Sequence, residues 1–334
     1  MRLVQLNHPA KGRFVALVEE PNLRLISTFN SVFTLALKAI EENADITSLI
    51  KENLSEALLS YDEVYNDLSE YKLLAPFDHP QGPLQLMLAG TGLTHKASAE
   101  NRQKMHDALE EKELTDSMKI YLMGVEKGHP DPGEIGVQPE WFYKGNGSIL
   151  CAHNEVLEVP SYGDDGGEEP EVAGVYIVNQ EGIPYRIGFT TANEFSDHLM
   201  ERKNYLYLAP SKIRNCSLGP ELVVTDNFEN ISGRVSVERN AKILWEKSIK
   251  TGEVNMSHSL ENLEYHHFKY NNHRIPGTAH IHFFGADAFS FGEGVALKSN
   301  DLMEVSWEGF GRPLRNTIKI NREKEEMFSI ENLR

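Results

Sequence analysis

The sequence predicts a β-rich α+β protein, and three observations carry the prediction. Short segments with apolar residues at alternating positions recur through the chain, as half-buried strands require. Apolar residues at helical spacing are confined to a few stretches, the first of them at 28–42. Beyond residue 220 the chain reads almost continuously as strands separated by short polar turns.

Taken in order, Arg2–Leu6 and Arg13–Glu19 alternate well enough for strands, and Leu23–Ile26 offers a third. Over 28–42, Val32, Phe33, Leu35, Ala36, Ala39 and Ile40 fall on one helical face. A second helix is expected over Ile46–Leu58. The run Ala75–Pro83 (APFDHPQGP) is rich in proline and turn formers. It places a boundary between a small N-terminal α+β domain, 1–83, and a larger domain, 84–334. Leu86–Gly92 reads as a strand entering a glycine turn, and the polar, helix-favouring stretch 98–127 as a solvated helix. Residues 128–147 are irregular, and 161–168 (SYGDDGGE) form an acidic loop. Further strands are expected over 221–225, 231–238, 241–250, 280–284 and 302–307. A helix is expected over 256–270, in which the adjacent His266 and His267 face different directions and read as structural or surface residues. The charged tail, 321–334, reads as peripheral.

Composition bounds the function. Apolar residues at 40% and charged residues at 25% are ordinary for a folded soluble chain of 334 residues. Fifty acids against 33 bases give a net charge of −17, which disfavours binding to nucleic acid or to an anionic membrane. The two cysteines, Cys151 and Cys216, make no disulfide framework. The first residues lack the apolar core of a signal peptide, and no apolar run is long enough to span a membrane, so a cytoplasmic location is expected.

Chemistry concentrates between Glu168 and Pro220. If Glu169-Pro170-Glu171 opens a strand, the period of two aims both carboxylates at one face. The apolar run Val172–Val178, the turn 179–182 and the run Tyr185–Phe189 form a hairpin that returns Glu194 to the same end. Three carboxylates in one place suit a hard cation: Mg²⁺, or Mn²⁺ or Ca²⁺.

The ordered set Glu-x-Glu, strand, GFTTANEFS at 188–196, a lysine, then Leu218-Gly219-Pro220 resembles the core of the fumarylacetoacetate hydrolase superfamily. The resemblance spans roughly Leu86 to Asn316 and includes Ile275–Ala279 and the closing run 297–316. It implies a rolled mixed β-sheet with peripheral helices, a homodimer, and Mg²⁺ held by Glu169, Glu171 and Glu194. Hydrolases of the superfamily carry a His-Glu pair for water after Gly-Leu, but here the run is GLTHKASAE, with Ser98 near the histidine's place. That departure resembles the branch that dehydrates 2-keto-3-deoxy sugar acids. The expected reaction is therefore dehydration of a small 2-keto acid, such as a 2-keto-3-deoxy-pentonate to 2,5-dioxopentanoate.

Roles follow from this reading. Lys212 is expected to have a lowered pKa beside the cation and to take the C3 proton; the alternative is a lysine that only neutralises the acids. His198 either assists the leaving hydroxyl or is an ordinary hydrogen-bonded histidine. Gly277 and Thr278 are expected to hold the substrate carboxylate, and His95 to line the site. Lys144 either meets the substrate or is a surface lysine beside packed aromatics. Competing readings are a C–C hydrolase of 2,4-diketo acids with His95 or a histidine from a mobile loop as base, a histidine-metal enzyme built on His280 and His282, and a non-catalytic sugar-acid-binding protein.

Overall fold

The computed structural model describes residues 1–97, 99–100 and 114–333. A twelve-stranded sheet runs from an edge at Leu54–Ser60 through Asn22–Ile26, Gly12–Glu19 and Arg2–His8 to Cys216–Val223. It continues through Pro184–Asn193, Pro170–Val178, Ala279–Phe283 and Leu86–Gly92 to Glu140–Asn146, with two short strands paired off this path. A five-stranded sheet is ordered Lys242–Thr251, Ile231–Arg239, Leu302–Trp307, Leu314–Ile320, Leu157–Val159. Both sheets are mixed: Ala279–Phe283 runs parallel to Leu86–Gly92, and Leu314–Ile320 parallel to Leu157–Val159, among otherwise mostly antiparallel neighbours. The β-rich α+β class is the one the alternation predicts.

The strand Arg2–His8 pairs along its length with Gly12–Glu19, and its first residues pair with Cys216–Val223. One core is therefore shared: Leu3, Phe33 and Leu35 pack with Val175, Ile177, Leu218 and Ile281. The helix Val32–Glu41 lays its predicted apolar face into that core, and Ser31 caps it by accepting from the Thr34 N–H. A buried carboxylate pins this junction. Glu221 accepts from the Tyr61 hydroxyl (2.9 Å) and the Arg312 N–H (3.0 Å) and pairs with Arg2 (3.0 Å). A Cβ at Gly311 would fall 2.2 Å from that carboxylate, and its φ of +83° also favours glycine.

Several elements differ from expectation. Ile46–Leu58 divides into a helix, Ile46–Glu52, and an edge strand, Leu54–Ser60, because pairing with Asn22–Ile26 outweighs local helix propensity. The expected helix over 98–127 is seen as Asp116–Lys127, capped by Thr115, while Ser98 and 101–113 lie outside the described residues. The helix over 256–270 shortens to Leu260–Phe268, starting at its cap Ser259. Glu140–Asn146 is a strand within a stretch read as irregular, and Leu314–Ile320 is a strand to which the sequence reading assigned no element. Among the described residues no helix is long and apolar enough to cross a membrane.

Candidate active site

The hairpin of Pro170–Val178 and Pro184–Asn193 sets Pro170 opposite Asn193, so the residues just beyond each strand end come together. The Glu194 N–H donates to the Glu169 carbonyl (2.9 Å), and the Asn193 side chain accepts from the Glu169 and Phe195 N–H groups. Carboxylate oxygens of Glu169, Glu171 and Glu194 consequently lie within 4.8 Å of one another, all three residues buried. The period-two argument placed them correctly. Three buried acids at this separation repel, and the donor set and spacing fit a hard divalent cation.

Cationic side chains surround the cluster. Lys212, at the end of the helix Leu208–Lys212, donates to Glu169 (2.7 Å), Glu194 (2.7 Å) and the Ser196 hydroxyl (3.0 Å). Its ammonium also lies 5.0 Å from the Phe142 ring centre. His198, the first residue of the helix His198–Lys203, lies with Nε2 3.0 Å from Glu169 and stacks on Phe289 with ring centres 4.7 Å apart. Lys144 is fully buried beneath Glu194, 2.6 Å from its carboxylate, and donates to the carbonyls of Glu194 (2.5 Å) and Phe195 (2.7 Å).

The charges act on one another. Burial alone raises Glu169, but the Lys212 charge and the His198 contacts overcome it and hold this carboxyl well below the usual range. Glu171 is pushed well above by burial, then by the charges of Glu194 and Glu169, which outweigh the Gly285 N–H and the Lys212 charge. Lys212 is raised, because although burial opposes its charge, Glu169 and Glu194 favour it more strongly. The lowered Lys212 pKa expected from the sequence belongs to a site in which a cation offsets the acids; with the acids' charge facing it, the shift runs upward. His198 is raised in the same way, against burial, by the hydrogen bond and charge of Glu169. Burial works on both partners of the Lys144–Glu194 pair, lowering the amine and raising the acid.

The remaining wall comes from the loop after Ala279–Phe283. Gly285 donates its N–H to Glu171 (2.7 Å), and Ser290 donates N–H and hydroxyl to Glu168 (2.6 and 2.9 Å). Two acids of the EEPE run thus fasten this loop, and Gly285, Ala286 and Phe289 face the pocket with Leu93, Phe142 and Glu201. Leu93 holds a left-handed φ of +55° there, a strained backbone for a leucine.

Four expectations are corrected. Gly277 and Thr278 precede Ala279–Phe283, whereas the cluster adjoins its far end: Ala279 pairs with Ile177 and Phe283 with Ala173. The Thr278 hydroxyl donates to the Ile275 carbonyl instead, and the Gly277 carbonyl meets His79. Lys144 does not reach the pocket; it holds Glu194 from below. His95 is buried beside Thr94 (2.9 Å) and pushed down to about 3 by burial; Leu93, not His95, lines the pocket. His280 and His282 do not converge on a metal: they face His267 (3.0 Å) and Thr91 (2.8 Å). Glu201, which sequence reading passed over, lies three residues after His198 on the same helix face, a spacing that was there to be read.

No family model matches the chain. In fold it is similar to solved structures of 2-keto-3-deoxyarabinonate dehydratase. A hexagonal crystal form superposes with a TM-score of 0.71 at 18% identity, over 97% of this chain and all of the other. A complex of that enzyme with magnesium and 2,5-dioxopentanoate gives 0.70 at 18% identity over the same shares. A 5-carboxymethyl-2-hydroxymuconate delta-isomerase from Mycobacterium smegmatis gives 0.59 at 17% identity, over 96% of this chain and 99% of the isomerase. The mixed β-fold is thus one shared by dehydratases and isomerases.

In sequence, the relatives are sugar-acid dehydratases. The 2-dehydro-3-deoxy-D-arabinonate dehydratase of Saccharolobus solfataricus is 28% identical over 193 residues, 55% of this chain and 61% of that protein. The probable 2-keto-3-deoxyxylonate dehydratase of Haloferax volcanii is 25% identical over 186 residues, 54% of this chain and 60% of that protein. The aligned region therefore spans about three-fifths of each curated relative.

Proposed function

We propose that the protein is a metal-dependent hydro-lyase that removes water from a 2-keto-3-deoxy sugar acid, with a 2-keto-3-deoxy-pentonate giving 2,5-dioxopentanoate as the leading case. The observation that carries this reading is the convergence of the Glu169, Glu171 and Glu194 carboxylates, with Lys212 and His198 against them, beside one buried pocket. The dehydratase relatives support the substrate class. Mg²⁺ is the proposed ion, with Mn²⁺ or Ca²⁺ as alternatives, held by the three glutamates. When bound, such an ion supplies Lewis acidity to a keto acid's carbonyl and carboxylate oxygens.

The chain's own residues then have separable tasks. The pocket encloses about 20 Å³ with Lys212 folded against two of the acids, room for about one water. The Lys212 ammonium is the group proposed to give way on ligand entry, since it sits against two of the acids. Once the acids' charge is offset, the cause of the raised Lys212 pKa is removed and its amine becomes the group to take the C3 proton. The C3–H and C4–O bonds break, the hydroxyl leaves as water, and the resulting 5-hydroxy-3-ene tautomerises to the C5 aldehyde. His198, oriented by Glu169 and stacked on Phe289, is the proposed donor to the leaving hydroxyl. A hydrolase would need a base for water, and His95, one of the two sources considered, faces Thr94 instead.

We further propose that residues 1–83 act as a supporting unit, clamped to the larger domain through Glu221. A cytoplasmic homodimer is proposed as the working form. The test of the reaction is proton NMR of the protein with Mg²⁺ and a panel of 2-keto-3-deoxy pentonates and hexonates, repeated with EDTA. Aldehyde signals that vanish with EDTA are expected. Inert pentonates and hexonates, together with cleavage of a 2,4-diketo acid, would replace the dehydratase with a hydrolase.

A further inference from the structure

We propose that the buried contact between Glu168 and Ser290 positions the proton donor: it seats Phe289 and Phe291 on the His198 imidazole and leaves Nε2 as the nitrogen from which a proton reaches the leaving hydroxyl. The inference rests on the dehydration reading, in which His198 is that donor, and adds how its ring is held. Glu168 and Ser290 are both fully buried, and the Glu168 carboxylate accepts from the Ser290 N–H (2.6 Å) and hydroxyl (2.9 Å). Neither is among the described residues that line the pocket, so neither is placed to touch a substrate.

Local geometry turns that contact into a box. Phe289 is extended (φ −148°, ψ 152°), so successive side chains diverge: Ser290 turns inward to Glu168 while Phe289 stacks on His198, ring centres 4.7 Å apart and planes 4° from parallel. Phe291 stacks on the same imidazole at 5.0 Å. Its ring also lies 5.6 Å from the Arg202 guanidinium, one turn further along the helix His198–Lys203. Gly167 closes the Nδ1 side, where a Cβ would fall 2.6 Å from that nitrogen. Nε2 lies 3.0 Å from Glu169. Three consecutive residues therefore hold one ring: Gly167 against Nδ1, Glu168 through the two phenylalanines, and Glu169 at Nε2. Stacked aromatic faces restrain an imidazole and favour its cationic form. Proton transfer depends steeply on where the donor atom sits. The Nε2 proton passes to the C4 hydroxyl, which departs as water. Without the Glu168 contact the segment 289–291 loses its inward anchor and the ring gains freedom, while Lys212 and Lys144 still hold the metal-site acids.

The test uses Ser290→Ala, which removes the hydroxyl contact, and Phe291→Leu, which removes one ring, each made in the full chain and again in His198→Gln. Turnover of a 2-keto-3-deoxy-pentonate is followed at steady state in saturating Mg²⁺, and Mg²⁺ affinity by titration calorimetry. In both single variants kcat should fall about tenfold, with KM and Mg²⁺ affinity within about twofold of the unaltered protein. In the His198→Gln background the same changes should alter kcat by less than about twofold, because one function cannot be lost twice. Proton–carbon NMR of the histidine rings gives a readout that needs no turnover. The His198 ring protons, assigned by their loss in His198→Gln, should lie upfield of the usual histidine range and move back towards it in both single variants. Single variants as fast as the unaltered protein, losses just as large without His198, or His198 ring protons that stay in place would overturn the positioning role. Ring shifts as expected in a protein that dehydrates no 2-keto-3-deoxy pentonate or hexonate would overturn instead the dehydration reading on which it rests.

Discussion

Replacing Lys144 by methionine separates two roles for this lysine, because the structure and a substrate-contact role predict opposite signatures. Lys144 is fully buried, pairs with Glu194 at 2.6 Å and donates to two backbone carbonyls. Methionine fills much of the same volume but supplies none of these donors. Breaking one side of a buried ion pair costs about 3–5 kcal/mol, and the lower end applies here because Lys212 still donates to Glu194. Each carbonyl left without a donor adds about 1 kcal/mol or more. Part of that is recovered if Glu194 takes up a proton, which burial already favours. A net loss of about 3–5 kcal/mol in urea unfolding of the EDTA-treated protein is therefore expected. Metal affinity should weaken about 10–100-fold, since Glu194 loses the support that orients it. If Lys144 instead met the substrate, the variant would unfold within about 0.5 kcal/mol of the unaltered protein and bind Mg²⁺ normally, with only KM raised. That outcome would refute the buried-support argument.

Three further perturbations test other parts of the site. Glu169→Gln removes a candidate ligand that also orients His198 and Lys212, so turnover of a 2-keto-3-deoxy-pentonate should fall by about 100-fold or more and saturating Mg²⁺ should not restore it. Thr278→Val, at the far end of its strand, should leave KM within about twofold, which steady-state kinetics on the same substrate would check. Acid should destabilise the fold. Burial pushes His95, His280 and His282 down to about 3, and His153 and His258 to about 4, so each stays neutral when folded but takes up a proton when unfolded below about pH 6.5. The unfolded state then binds more protons, and stability falls as pH drops, by about 2 kcal/mol per histidine at pH 5. Urea midpoints unchanged between pH 7 and pH 5 would contradict that assignment.

How much of this site was legible depended on how far each contact reaches along the chain. Glu169, Glu171 and Glu194 were legible because a strand's period of two and one tight turn fix them relative to one another within a single hairpin. Lys144 was not, since its burial depends on a strand that meets Glu194 from 50 residues away. Its neighbourhood read as irregular, and nothing local marks it as running under the site. Gly277 and Thr278 show a different failure. A Gly-Thr pair has the right chemistry for a carboxylate, but composition does not say which end of the following strand faces the acids. Strand direction does. Glu169 and Glu171 sit at the start of Pro170–Val178, and Ala279–Phe283 runs antiparallel to it, so only the residues after Phe283 can reach them. Those residues begin with Gly285, whose N–H reaches Glu171. Its freedom from a Cβ matters there, since one would fall 2.1 Å from the Thr94 hydroxyl at a φ of +92°. The general consequence for this fold is that a motif's chemistry nominates a residue, while the direction of the strand carrying it decides whether that residue can act.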